Sequence, residues 1–150
     1  MNVQVLEREQ LIGRPREEVF GFFADAFNLE DLTPPWLRFA IRTPAPIEMR
    51  AGARIAYRMR LHGLPVRWLT EIEEWEPEAR FVDRQIKGPY SLWHHTHTFE
   101  DREGATLMRD RVRYALPLGP LGELARLALV DSDLRRIFDF RRETVARLLG

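Results

Sequence analysis

The stretch GPYSLWHHTHTFE, residues 88 to 100, carries His94, His95 and His97, three of the four histidines of the chain. Imidazoles so closely spaced admit three kinds of chemistry. A histidine backed by a carboxylate can serve as a general base. Two histidines on one strand face can ligate a metal together with a third group. An imidazole in an apolar wall can orient the carbonyl, hydroxyl or phenol of a ligand. Which of these applies depends on where the side chains point, and so on the strand that carries them.

Side chains alternate along a strand, so Trp93, His95, His97 and Phe99 share a face and His94 takes the other. If DREG, residues 101 to 104, is a four-residue hairpin loop, Phe99 lies opposite Thr106, His97 opposite Met108, His95 opposite Asp110 and Trp93 opposite Val112. Met108, Asp110, Val112 and Tyr114 then join the histidine face, which is mostly apolar. His94 falls opposite Arg111 and Thr96 opposite Arg109, so His94 is expected to be simply exposed.

A carboxylate among apolar neighbours is costly without a partner, and His95 is the nearest candidate to hold Asp110. A loop from Gly88 to Tyr90 would add Asp83 opposite His95 and Gln85 opposite Trp93, whereas a four-residue loop would reverse that parity. On the preceding strand Trp68, Thr70 and Ile72 alternate together and extend the lining. His95 and Asp110 could satisfy each other inside the sheet, orient a ligand, or act as a catalytic pair on a substrate proton. A metal on His95 and His97, with Asp110 as third ligand, is weighed and not adopted, because no other inward histidine is expected. His62 sits in the HGLP turn, where exposure is expected.

Other chemistry is poorly supplied. The chain has no cysteine, which removes disulfides and thiolate chemistry. Its only serines, Ser91 and Ser132, lie in no nucleophile-elbow pattern. GPLG, residues 119 to 122, is too weak a glycine pattern to claim a phosphate. Twenty-three basic and 23 acidic residues cancel, which gives no steering toward nucleic acid or an anionic membrane. Trp36, Trp68, Trp75 and Trp93 therefore read as core and cavity wall rather than as a base-stacking platform. The first residues lack a long apolar run, and a cytoplasmic address is the expectation.

The elements that must position these residues follow from periodicity. The 150 residues, 45% hydrophobic and 31% charged, suit a single domain spanning 1–150. A first strand begins around Val3 and Val5. RPREEVFGFFADA opens a helix with Pro15 in its first turn, Glu17 and Glu18 at its positive end, and Val19, Phe22, Phe23 and Ala26 at helical spacing. A short helix through NLEDL ends at TPPW, since Pro34 and Pro35 cannot continue it. From Trp36 to Tyr114 the period becomes two, cut by turn residues, as in an antiparallel meander. In RIAYRMRL, Ile55, Tyr57, Met59 and Leu61 share the face opposite Arg54, Arg58 and Arg60. Glu123 to Leu149 contains no glycine or proline and predicts one long helix. Asp131, Arg135, Asp139 and Arg142 would form a charge ladder on it, and Leu127, Leu134, Phe138, Val145 and Leu148 could face the sheet.

A strand, two short helices, six more strands and a long terminal helix resemble the helix-grip fold of the SRPBCC or START-like superfamily, over essentially the whole chain. FNLEDLTPPWLRF, LHGLPVRWLTEIEEWEP, RFVDRQIKGPYSLWHHTHTFE and MRDRVRYALPLGPLG are similar to its bacterial polyketide cyclase/dehydrase-like branch. The resemblance implies an α+β fold in which a curved antiparallel seven-stranded sheet wraps a long C-terminal helix, with an apolar cavity between them. It implies a small hydrophobic ligand such as a lipid, quinone or polyketide, and for a minority of members a cyclisation or aromatisation.

The sequence thus predicts a protein that binds a small hydrophobic molecule, with Trp68, Thr70, Gln85, Trp93, His95, His97, Met108, Asp110 and Phe138 as ligand-binding candidates. The alternative is a cofactor-free cyclase or aromatase with His95 and Asp110 as catalytic residues; the reading leans away from an enzyme. A third is a regulatory or chaperone-like protein with a vestigial cavity. No cofactor, metal, nucleic acid or membrane insertion is expected, and the oligomeric state is left open. Entry is expected near LTPPWLRF, the proline-rich turns and the start of the last helix.

Overall fold

The computed structural model describes residues 2–150. The chain runs β1 (Gln4–Ile12), α1 (Arg16–Ala24), α2 (Asn28–Leu32), a 3-10 turn (Pro35–Leu37), β2 (Ala40–Ile41), β3 (Arg54–Leu61), β4 (Leu64–Glu76), β5 (Arg80–Lys87), β6 (Leu92–Arg102) and β7 (Ala105–Ala115). It ends in α3 (Gly119–Ala125), a π turn (Arg126–Val130) and α4 (Asp131–Leu149). The strands form one seven-stranded antiparallel sheet in the order β1-β7-β6-β5-β4-β3-β2. A meander from β2 to β7 thus places the first strand beside the last, and the curved sheet grips the terminal helix.

The helices sit where their caps put them. Pro15 opens α1 with its ring-fixed φ of −59°, and Glu17 and Glu18 occupy the first turn against the positive end of the dipole. Val19, Phe20 and Phe23 of α1 bury against Phe81, Phe99 and Met108 of the sheet. Trp36, expected in the alternating stretch, lies instead in the 3-10 turn, because Pro34 and Pro35 hold the chain out of the sheet until Ala40.

The hairpin between β6 and β7 differs from expectation by two residues. Arg102 pairs with Ala105, so the loop is Glu103-Gly104 alone, and both residues have positive φ, 52° and 88°. A two-residue turn of that hand matches the twist of the strands. The pairs are therefore His97 with Asp110, His95 with Val112, Trp93 with Tyr114 and Phe99 with Met108. Because the displacement is even, every side chain keeps its expected face. Asp83 pairs with His95 as expected, but the β5–β6 ladder stops at Arg84 and His94, so Gln85 does not pair with Trp93.

The terminal helix departs from expectation in three ways. It begins at Gly119 rather than Glu123, and the wide turn at 126–130 interrupts it. Leu127, inside that turn, is exposed. Past that turn the buried seam is Leu134, Phe138, Arg141, Val145 and Leu149, a run of three- and four-residue steps that leaves Leu148 exposed. The charge ladder does not form along the helix. Asp131 accepts from Tyr114 and Arg126, both at 2.6 Å, Asp139 pairs with Arg8, and Arg142 donates to the Glu9 carbonyl at 2.8 Å. Those charges fasten the helix to β1 and β7 instead.

The tight turn gives a direct test. Gly104→Ala puts a side chain at a φ of 88° where no neighbouring atom lies within 4 Å, so its cost is backbone strain alone. Strain of about 1–2 kcal/mol should lower the melting temperature by several degrees at this chain length. Glu103→Asn, at the neighbouring left-handed position, should not lower it; thermal unfolding followed by circular dichroism checks both.

Candidate functional site

Between the two apolar clusters that close the ends of the fold lies a buried polar group. One cluster gathers Phe20, Phe23, Phe81, Phe99 and Met108, and the other Val112, Tyr114, Leu134 and Phe138. On β6, His95 and His97 stack face to face, 3.6 Å between centroids and 24° between planes, and Phe81 continues the stack 4.0 Å beyond His97. Both imidazoles are about 95% buried, His95 at 5% and His97 at 4% exposure. His95 Nε2 donates to Asp110 Oδ1 at 2.8 Å, a diagonal contact across the hairpin. His97 Nε2 donates to Asp83 Oδ2 at 2.6 Å, and its Nδ1 lies 3.4 Å from the same Asp110 oxygen.

The sheet is not the only contributor. Arg141, on the buried seam of α4, brings Nη2 to 3.4 Å from Asp110 Oδ1, while its guanidinium lies over the Phe23 ring at 5.1 Å. Asp110 thus meets donors from β6 and from the helix. Its pKa is held well below the usual carboxylate range: burial alone would raise it, but the Arg141 charge and the two imidazole hydrogen bonds outweigh that. Asp83 is also lowered, with burial opposed chiefly by its bond from His97.

The two histidines part company in the same field. Burial would lower both. For His97 the hydrogen bonds to Asp110 and Asp83 win, and its pKa is raised. His95 is pushed down to about 4, first by burial and then by the charge on His97. Two imidazoliums at this stacking distance would repel by about 4 kcal/mol even at an effective dielectric near 20, so the two rings do not both carry charge. Arg141 Nη2 also lies 3.4 Å from His97 Nδ1, so guanidinium and Asp110 carboxylate meet at that nitrogen.

Above the stack opens a cavity of about 190 Å³ between sheet and helix. That exceeds the ~150 Å³ apolar cavity that takes up benzene in an engineered protein. Its walls include Tyr57, Trp68, Tyr90, Trp93 and Phe138, and its polar floor is made by Asp83, His95, His97 and Arg141. Among the residues picked out from sequence, Trp68, Trp93, His95, His97 and Phe138 line it, and four do not. Asp110 lies behind the histidine stack, and Met108 packs lower with Phe99. Thr70 donates to the Arg84 carbonyl at 3.1 Å, beside a break in the β4–β5 register. Gln85 donates from Nε2 to the Tyr90 carbonyl at 2.7 Å and accepts from the Tyr90 amide at 3.0 Å, so it shapes the loop that presents Tyr90.

His94 sits on the outer face as expected but is only partly exposed, 3.8 Å from Glu73. His62, half exposed in its turn, is not idle: its Nε2 lies 2.6 Å from Asp133 and joins the β3–β4 hairpin to the start of α4. Asp83, His95 and His97 do bring donor atoms within 4.8 Å of one another, as a metal site would. An imidazole binds a metal in its ring plane at about 2.0–2.1 Å, and two stacked rings do not direct their lone pairs at one such point. A guanidinium beside Asp110 adds a second obstacle. As arranged, the cluster serves hydrogen bonding.

Arg141 is absent from the sequence-derived candidates because an arginine on a helix reads as solvated; its place in the series Leu134, Phe138, Arg141, Val145 is the signal that points inward.

The family profile described as polyketide cyclase/dehydrase and lipid transport matches residues 12–140. The chain belongs to that family. Among solved structures, TTHA0849 from Thermus thermophilus is 25% identical, with a TM-score of 0.63 over 98% of this chain and 100% of that one. The Zhui aromatase/cyclase from a Streptomyces species is 13% identical, with a TM-score of 0.76 over 97% of this chain and 92% of that one. CV1439 from Chromobacterium violaceum, also 13% identical, gives 0.75 over 97% and 96%. These likenesses establish the helix-grip fold for this polyketide cyclase/dehydrase-family chain. No curated protein matches it. Among the described residues no helix is long and apolar enough to cross a membrane.

The split histidines set opposite pH dependences. Below an unfolded value near 6.5, the unfolded chain protonates His95 while the folded one resists to about 4, so stability falls with acid across that window. His97, raised in the fold, contributes fully below 6.5 and loses its contribution as pH rises through its folded pKa. Urea unfolding should therefore show maximum stability near pH 6.5, with limbs of up to about 1.4 kcal/mol per pH unit from each ring. His95→Gln should flatten the acid limb above pH 4 and keep the alkaline one.

Proposed function

We propose that this protein binds a small, largely apolar molecule in the cavity between its sheet and α4. The observation that carries the reading is the cavity itself: about 190 Å³, walled by aromatic side chains, with its few polar groups gathered at one end. Buried area supplies affinity in such a site, and the polar end supplies orientation. Membership of a family described by polyketide cyclisation and lipid transport supports the ligand class. We infer entry beside the proline-rich turn, whose Thr33 and Leu37 line the cavity together with Leu61 and Leu134, neighbours in sequence of the His62–Asp133 contact. Loops can part there without opening the sheet.

A second reading, a cofactor-free cyclase with His95 as base, is favoured by one observation: a neutral imidazole on the cavity floor with a carboxylate behind it. The magnitude weighs against it. A general base works best with a pKa near the working pH, and burial with the His97 charge leaves His95 at about 4. Binding is the better supported role.

Calorimetric titration with naphthalene, a neutral ring system of suitable size, tests the binding reading. Saturable one-site binding at about 0.1 mM or tighter is expected from its count of heavy atoms. Met59→Trp, which fills the cavity from β3, should weaken it at least about tenfold at similar thermal stability. No saturable binding, or equal binding by the filled variant, would overturn the reading.

A further inference from the structure

We propose that the end of the molecule around α3 docks on an anionic lipid surface, with the leucines of α3 and the π turn entering the headgroup layer and Arg58, Arg60, Arg67 and Lys87 meeting lipid phosphates. The proposal rests on surface residues and holds whatever occupies the cavity.

Residues 116–130 reverse the usual arrangement of a solvent-facing helix. Leu118, Leu121, Leu124 and Leu127 are 65–75% exposed and Leu129 is 48% exposed. The only ionisable side chains of the segment, Glu123 and Arg126, are already used: Arg126 donates to both Glu123 oxygens, at 3.2 and 2.9 Å, and to Asp131 at 2.6 Å. Water is offered leucine and almost no charge, which marks an interaction surface. A helix that packs on a protein partner keeps its apolar residues in one stripe, at steps of three and four. These leucines step by three from Leu118 to Leu127, and at 3.6 residues per turn they walk round the rod, so one flat partner would cover only some of them. α3 makes its main contacts with the π turn that follows it rather than with the sheet, and so projects from the body. A fluid layer covers such a projection on every side.

Charge complements the leucines. Antiparallel pairing puts the β3–β4 turn, the β5–β6 loop and the link from β7 to α3 at one end of the sheet. Leu64 at that turn is 69% exposed, and the His62–Asp133 contact ties the turn to the start of α4. On the outer face of the strands leading there, Arg58, Arg60, Arg67 and Lys87 are exposed, and none has a carboxylate partner among the described residues. Arg58 stands directly opposite Arg67, a like-charge pair that costs stability until an anion lies over it. Toward the other end of the same strands, Arg54, Arg80 and Arg84 are all paired with Glu71, Glu73 or Glu74. The acids near α3 are occupied too, Glu123 and Asp131 by Arg126 and Asp133 by His62. The total charge cancels, but this end sets free cations beside bare leucine, the composition that an anionic bilayer surface attracts.

The docking surface adjoins the cavity. Leu61 pairs with Leu64 across the turn and Leu134 follows the π turn by one turn of helix, so two residues of the cavity lining lie close behind it. Docking sets that end of the cavity against the lipid phase, from which an apolar molecule could pass without crossing water.

Vesicle co-sedimentation of the whole protein tests the proposal. Vesicles of about one third phosphatidylglycerol in phosphatidylcholine should bind it at least about tenfold better than phosphatidylcholine alone, and added salt should remove most of that difference. Leu121→Gln with Leu124→Gln should weaken binding at least about tenfold at unchanged thermal stability, since both side chains are exposed. Arg67→Glu with Lys87→Glu, which also sets a carboxylate opposite Arg58, should abolish most of the preference for the anionic lipid. Leu11→Gln, which alters a leucine 65% exposed at the far end of the sheet, should leave binding intact. No binding to the anionic vesicles, equal binding to both lipids, or an equal loss with Leu11→Gln would overturn the proposal. So would a dimer in sedimentation equilibrium that the Leu121 and Leu124 double variant splits, since a second copy would then cover the leucines. The wild-type lipid series decides the matter even where a variant fails to fold.

Discussion

Asp110 is an ionised carboxylate about 95% buried, and the rest of the site is arranged around that constraint. Its Oδ1 meets His95 and His97 from the adjacent strand and Arg141 from α4. Removing one partner of such a group costs about 3–5 kcal/mol, because the charge left behind is uncompensated. The arrangement fixes both imidazole rotamers and ties the helix to the sheet at mid-span. Aromatic clusters close the fold on either side of it. The cavity is the space left above the stack between sheet and helix, with Phe138 and Arg141 of α4 in its lining.

The same constraint gives the cavity its polarity. An imidazolium between two carboxylates is electrostatically content; a second one stacked on it is not. His95 is therefore the neutral member, anchored through Nε2 and open at Nδ1. A nitrogen held at about 4 is a weak base for abstracting a reluctant proton. The family name covers both binding and cyclisation, and the electrostatics of this particular floor favour the former.

Much of this is legible in the sequence. Period-two alternation places His95, His97 and Asp110 on the inward face, and that conclusion tolerates a two-residue difference in register because face depends on parity alone. The difference comes from the turn. DREG reads as a polar four-residue loop, whereas Glu103-Gly104 adopts the tighter form with Glu103 at positive φ, a conformation its residue type does not advertise. Thr70 and Gln85 alternate with the inward residues, but their polar atoms bond to Arg84 and Tyr90, which alternation cannot reveal. Arg141 shows the remaining limit. Its helical phase is apolar, its chemistry is not, and only the carboxylate across the interface explains why it is buried.

Nitrogen NMR of the imidazoles near neutral pH tests the central claim most directly, since it reads the protonation of each ring without any ligand. The account predicts His95 neutral, with its proton on Nε2 and Nδ1 bare, and His97 taking up its second proton at a higher pH than His95 does. A charged His95, a His97 that gains its second proton only below the pH at which His95 does, or a His95 proton residing on Nδ1 would contradict it.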